Sequence, residues 1–424
     1  MKKIIISLIL IVIISDILTQ KKNDYDLFLE WGKNNSVFIS DKIAMNYTNE
    51  NIKNYYVKKK IKQDEIIMSV PRKILLNIDS ALKLSGPKIK KQYDIYKKQE
   101  FESRQIEGIQ EILSYRIDQS FLAYLMTIAI KNKSSKSKFY QFYKYFFNTF
   151  ETDLEKYPIF YNSDQIRLLM FSLFGNELIQ TKEMFDEEYN ILQSKIYKKN
   201  LDQEEYYKHR IFSFNKLVNI SGVSSIVPFL DMLETHPINY NLRINYTEQN
   251  DSLSVTAIKD IKAKEKLLIS VVQMQNSNSL IIYGKIYEEN KHYVESFNIA
   301  KIFPNFLREK NLDPLMASPE VIDISEKNYY KKILPIYTEL SITLKEDGSK
   351  PSALRLFLEN MQSIRKRYDT VTMNELYKNF FQTKYVFNVK NVLDTEKYYL
   401  DKKIREMKIL INKAASNKEL DTDL

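Results

Sequence analysis

The sequence predicts an α+β protein in which a β-rich domain is interrupted by a helical insertion and followed by an all-helical C-terminal domain. Three observations carry this prediction. Short apolar runs bounded by turn residues occur before residue 80 and return between 252 and 272. Apolar residues recur at helical spacing from about 85 to 215, and again after about 300. A chain of 424 residues with 44% hydrophobic content has the material for more than one buried core. The expected divisions are a leader at 1–20, a β-rich domain at 25–300 containing an insertion at about 85–215, and a helical domain at 301–424.

Lys2 and Lys3 precede an apolar run from Ile4 to Ile14, interrupted only by Ser7 and closed by Ser15 and Asp16. This is the layout of a secretory signal peptide, and the run is short for a bilayer span. Because SDILTQ offers no clear cleavage site, an uncleaved signal anchor stays open as the alternative. The first reading places the protein in the secretory pathway or outside the cell, the second on an endomembrane. Six Asn-x-Ser/Thr triplets start at Asn34, Asn46, Asn132, Asn219, Asn245 and Asn250. They suit a glycosylating compartment, although asparagine is so common here that several arise by chance.

After the leader, turn signals alternate with runs such as EIIMSVP, which read as strands ending at Pro71. In FLAYLMTIAIK, Phe121, Leu122, Leu125, Ile128 and Ala129 share one helical face. Strands return in SLSVTAIKDIKAKEKLLISVV, where Leu253, Val255 and Ala257 alternate with their neighbours. Beyond 300, Leu354, Phe357, Met361 and Ile364 line one helix, and Leu400, Ile404, Met407 and Ile411 another.

Composition removes several chemistries. With no cysteine there is no disulfide, thiol nucleophile or thiolate metal site, and His209, His236 and His292 lack metal-helix spacing, so no metal is expected. Seven glycines leave no phosphate-binding loop, and no G-x-S-x-G elbow occurs. The net charge of +10 is spread along the chain, which favours a solvated basic surface over a specific nucleic-acid face.

Several phrases occur together in an informative order. IKNYYVKKKIKQDEIIMSVPRKILL follows Trp31, and PIFY spans Pro158 to Tyr161. IVPFLDML spans Ile226 to Leu233, VTAIKDIKAKEKLLIS spans Val255 to Ser270, and NSNSLIIYG ends at Gly284. This set resembles the SET-domain protein methyltransferases of the Rubisco large-subunit lysine methyltransferase and actin-histidine methyltransferase class, over roughly residues 28 to 300. The resemblance implies a β-rich SET domain with a helical insertion and a helical substrate-binding domain. It implies S-adenosylmethionine as cofactor and a protein or peptide substrate held in the SET groove and by the C-terminal helices. A membrane partner enters only if the leader is an anchor.

By the same resemblance Tyr283 holds the catalytic position, and Asp231, His236 and Asn276 hold cofactor-binding positions. Methyl transfer is an in-line displacement that needs hydroxyls or carbonyls around the methyl group and an uncharged acceptor nitrogen. The departures concern those needs. The family's Gly-x-Gly turn falls on Ile52, Lys53 and Asn54, its cofactor-contacting arginine on Phe214, and its channel tyrosine on Val271. Its Asn-His pair becomes Glu234 and Thr235, with His236 one residue late. Two functions therefore stand: methylation of a protein lysine or histidine, and an inactive pseudo-methyltransferase of the secretory pathway that binds a polypeptide.

Overall fold

The computed structural model describes residues 24–47, 53–103, 110–133, 137–147, 153–197, 200–220, 222–247, 251–271, 274–290, 310, 324, 329–344, 348–379 and 383–416. The leader lies outside the described residues, as do Ile52, Val272 and His292. Among the described residues no helix is long and apolar enough to cross a membrane. The described residues form two compact units, those within 1–152, 191–235 and 240–269 in the first and those within 153–190, 236–239 and 270–424 in the second. Residues 153–190, within the insertion expected from sequence, thus pack with the C-terminal helices.

The first unit opens with helix α1 (Asp24–Asn34). Among the described residues ten strands then occur in chain order: β1 (Phe38–Ile39), β2 (Ile43–Tyr47), β3 (Lys53–Val57), β4 (Ile66–Pro71), β5 (Leu217–Ile220), β6 (Val223–Ile226), β7 (Glu234–His236), β8 (Leu242–Thr247), β9 (Ser252–Ala257) and β10 (Leu268–Ser270), the last residues of β7 and β10 being counted with the second unit. Six of them make one mixed sheet in the order β1-β4-β9-β8-β10-β7, with β2–β3 and β5–β6 as separate hairpins. β4 and β9 pair antiparallel from Pro71↔Ser252 to Ile66↔Thr256 with a bulge, while β10 runs parallel to β8. The alternation seen in the sequence places Leu253, Val255 and Ala257 in the core, each at most 1% exposed.

The two IKxxE phrases are partners. Ile61 and Ile261 exchange backbone hydrogen bonds of 3.0 Å in each direction. Each is followed by a tight turn, with Asp64 at φ 63° and Lys264 at φ 70°. Lys264 N–H donates to Val57 and Asp64 N–H to Ala257, which locks β3 and β9 to these turns.

Helix α2 (Ile78–Ser85) leads into the insertion, which contributes α3 (Pro87–Ser103), α4 (Gln110–Asn132) and α5 (Lys138–Phe147), and later α8 (Gln203–Asn215). Asn77 and Ser80 form a reciprocal capping box that starts α2, worth about 1 kcal/mol. One apolar face was expected for α4, but Phe121 to Met126 are all buried. The neighbours α2, α3, α5 and α8 surround this helix, so its buried surface is wider than the stripe read from spacing.

The second unit carries α6 (Ser163–Leu169), α7 (Leu173–Ile191), α9 (Asn276–Tyr283), α10 (Tyr329–Thr343), α11 (Lys350–Thr370), α12 (Met373–Asn379) and α13 (Thr383–Ala415). Its core joins Leu173, Phe174 and Leu178 of α7 to Leu354, Phe357, Met361 and Ile364 of α11 and to Leu400, Ile404, Met407 and Ile411 of α13. Both C-terminal stripes read from the sequence face this core.

Candidate functional site

In the first unit, the IVPFLDML phrase starts at the last residue of β6 and continues through a buried loop into a 3-10 turn at Leu230–Met232 that carries Asp231. Phe229 precedes this turn at φ 73° and is fully buried. Its ring stacks on Phe28, centroids 4.0 Å apart, and on Trp31 at 6.2 Å. The opening tryptophan segment is therefore the platform that holds the Asp231 turn. Asp231 is half-buried, and its carbonyl accepts a 2.6 Å hydrogen bond from Lys216 Nζ.

Glu234, where the family motif has asparagine, lies at the start of β7 with Lys266 Nζ 3.1 Å from its carboxylate. The substitution brings its own countercharge, at an exposed pair worth at most about 1 kcal/mol. Sequence reasoning missed this partner because Lys266 lies 32 residues away.

Phe214, at the family's arginine position, does have a guanidinium close by. Arg210, one helical turn earlier on α8, lies 5.5 Å from the Phe214 ring centroid. Yet Arg210 is 1% exposed and donates to Gln119 Oε1 at 3.0 Å, so this cation is built into the core between α4 and α8. His209 beside it is equally buried, with Nδ1 3.0 Å from Thr127 Oγ1. Burial pushes the His209 pKa down to about 3, so it stands there neutral.

In the second unit, His236 and Asn276 come together around one residue, Tyr287. The backbone N–H groups of Ile238 and Asn239 donate to His236 Nδ1 at 3.2 and 2.8 Å. The ring proton therefore sits on Nε2, which faces Glu289 Oε1 at 3.3 Å. Asn239 Nδ2 also donates to Glu289 Oε1, at 2.9 Å. The imidazole packs edge-on against Tyr287, centroids 5.4 Å apart. Both ring nitrogens of His236 are thus engaged within the unit.

Asn276 opens α9 and is 1% exposed. Its Nδ2 donates to the Tyr287 carbonyl at 3.1 Å, and its Oδ1 accepts from the Tyr287 N–H at 3.0 Å. One carboxamide thus imitates a strand partner and closes the loop from α9 to Tyr287. Asn290 Nδ2 donates to the Met274 carbonyl at 2.8 Å and bolts the same loop from its other end. Tyr283, half-buried, is the last residue of α9. Gly284 ends the helix in the left-handed region, φ 65°, where an added Cβ would meet Lys156 Cγ at 2.7 Å. Nothing in the sequence singled out Tyr287, Glu289 or Asn290, because in an asparagine- and tyrosine-rich chain a buried clamp leaves no periodic trace.

At the positions singled out by the resemblance, the polar side chains are engaged within their own unit. Arg210 is tied to Gln119, His236 to backbone and Glu289, and Asn276 to Tyr287, while Val271 brings no hydroxyl. Among the described residues no cluster of His, Cys, Asp or Glu is placed to hold a metal ion.

No protein-family model matches the sequence, and no curated protein matches it. Solved structures do match the fold. The SET domain of LSMT bound to lysine and AdoHcy superposes with a TM-score of 0.61 at 11% identity, over 92% of this chain and 93% of that one. Rubisco LSMT bound to sinefungin and monomethyllysine gives 0.61 at 12% identity, over 95% of both chains. Rubisco LSMT bound to AdoMet gives 0.59 at 12% identity, over 92% of this chain and 93% of that one. A mixed β-sheet, helices inserted between its strands and a long helical C-terminal part are shared nearly end to end, and the chain has the fold of the Rubisco LSMT structures, SET domain included.

Proposed function

We propose that this chain is a divergent SET-fold protein that acts on polypeptides, its reaction class being S-adenosylmethionine-dependent methylation of a lysine or histidine side chain. The observation that carries this reading is the fold likeness over at least 92% of the chain to structures holding lysine with AdoHcy or monomethyllysine with sinefungin. Tyr283 then stands at the catalytic position, half-buried at the end of a helix fixed by Asn276 and Gly284. Asn276 and His236 act by positioning that loop, since their polar atoms are engaged by Tyr287, Glu289 and backbone.

A second reading is favoured by Val271, Phe214 and the engaged Arg210: an inactive pseudo-methyltransferase of the secretory pathway that keeps the fold to bind a polypeptide. The leader supports it, because it would carry the domain away from the cytosol. Calorimetric titration of the purified full chain with S-adenosylmethionine separates the two. Micromolar binding accompanied by labelled-methyl transfer onto protein supports the enzyme. Absence of heat and of any thermal shift overturns it in favour of the binding module.

A further inference from the structure

Three of the six Asn-x-Ser/Thr triplets have an asparagine whose side chain is described, at Asn34, Asn219 and Asn245. An acceptor for an N-linked glycan needs a carboxamide nitrogen that a large lipid-linked donor can reach, a hydroxyl two residues on, and a surface that a bulky glycan does not split. Asn34 meets all three. It is the last residue of α1 and is exposed, and Ser36, exposed as well, stands just past the helix at φ 69°. The intervening Asn35 side chain donates back to the Trp31 carbonyl at 2.8 Å, which closes the helix end and leaves Asn34 and Ser36 on the outside. The face of α1 that packs is a different one: Phe28 and Trp31 stack on Phe229, whereas Lys33 and Asn34 face water.

Asn245 fails the same criteria. It lies on β8, between β9 and β10 in the six-stranded sheet, half-buried and registered opposite Ser254. Its Nδ2 donates to Thr256 Oγ1 at 3.4 Å. A glycan on that nitrogen would stand on the face shared with Thr256 and disrupt it. Asn219 is exposed on the β5–β6 hairpin, with Ser221 of its triplet outside the described residues.

We infer that Asn34 is an N-glycosylation site of this protein and that Asn245 is left bare. The reaction takes a lipid-pyrophosphate-linked oligosaccharide as donor. Asn34 Nδ2 forms the bond to the anomeric carbon, the bond from that carbon to the pyrophosphate oxygen breaks, and the carboxamide gives up one proton. The inference rests on the secretory reading of the leader, and the test keeps the two apart.

The full chain is expressed in a eukaryotic secretory host in two forms, one with its own leader and one with residues 1–20 replaced by a host signal peptide. Site occupancy is read peptide by peptide from the Asn-to-Asp mass signature left by an amidase that removes N-glycans. The expected result is occupancy at Asn34 and none at Asn245 in both forms, with Asn34→Gln and Ser36→Ala each abolishing the Asn34 signal. An unmodified Asn34 under the host signal peptide overturns the site, as does occupancy at Asn245. Occupancy under the host signal alone supports the site chemistry and overturns the secretory reading for the native chain, and with it the modification there.

Discussion

Phe229 holds a left-handed backbone conformation although it carries a ring, a state that costs about 1–3 kcal/mol and persists only where the surroundings over-determine it. What over-determines it is visible: Phe28 and Trp31 stack on its ring, and Gly32 leaves the space the ring fills. A Cβ at residue 32 would lie 2.3 Å from Phe229 Cζ and 2.8 Å from Cε2. The ring cannot retreat, because it is fully buried against aromatic neighbours. Gly32→Ala is therefore expected to lower stability by about 2–3 kcal/mol, the overpacking penalty, while Lys33→Ala on the exposed side stays near neutral. Denaturant unfolding of the two variants measures this, and equal midpoints would remove the platform role assigned to α1. Asn276 makes a complementary point. A residue placed at a cofactor position by resemblance holds both backbone groups of Tyr287, so what it supports is the loop that it closes.

At the scale of elements, the second unit is joined by a buried carboxylate. Glu396 of α13 is 6% exposed, and its Oε1 accepts from the Phe174 N–H at 2.9 Å, at the start of α7. Its Oε2 accepts from the Tyr368 hydroxyl of α11 at 2.6 Å. Three helices thus meet on one side chain, which also supplies an acceptor to an N-terminus that would otherwise lack one. Burial, opposed by the Tyr368 hydrogen bond and reinforced by the nearby Glu177 carboxylate, raises the Glu396 pKa from 4.5 to about 8. A folded pKa above the unfolded one gives stability that is fully present below pH 4.5 and lost as pH rises through about 8. The loss through that window approaches about 1.4 kcal/mol per pH unit for one group. Glu396→Gln, which stays neutral, is expected to flatten the decline of the unfolding midpoint between pH 5 and pH 8. A variant as pH-sensitive as the parent chain would show that another group carries the dependence.

Across the whole molecule, what the sequence made legible follows from which forces leave a periodic trace. The β4 and β9 strands were readable because alternation tracks one buried face, and the stripes of α11 and α13 because they face a single core. The engaged state of His236 and Asn276 was not readable, since it depends on Tyr287 and Glu289 reaching them across a turn. Nor was the helix α1, whose buried residues Phe28, Trp31 and Gly32 pack on a loop two hundred residues away. The same reasoning bears on catalysis. The positions that depart from the motif of the resembled family, at 52–54, 214 and 271, come from three separate stretches of chain, and the Arg210 guanidinium beside Phe214 is held by Gln119. Under the proposed function, a single hydroxyl at residue 271 would add one polar group without releasing Arg210 from Gln119 or restoring a glycine turn. Interactions that act as one unit do not return one at a time. Val271→Tyr alone is therefore expected to leave labelled-methyl transfer and S-adenosylmethionine affinity at the parent level. A tenfold gain in transfer, about 1.4 kcal/mol in the barrier, would show that a hydroxyl at residue 271 acts without the other positions and would overturn this expectation.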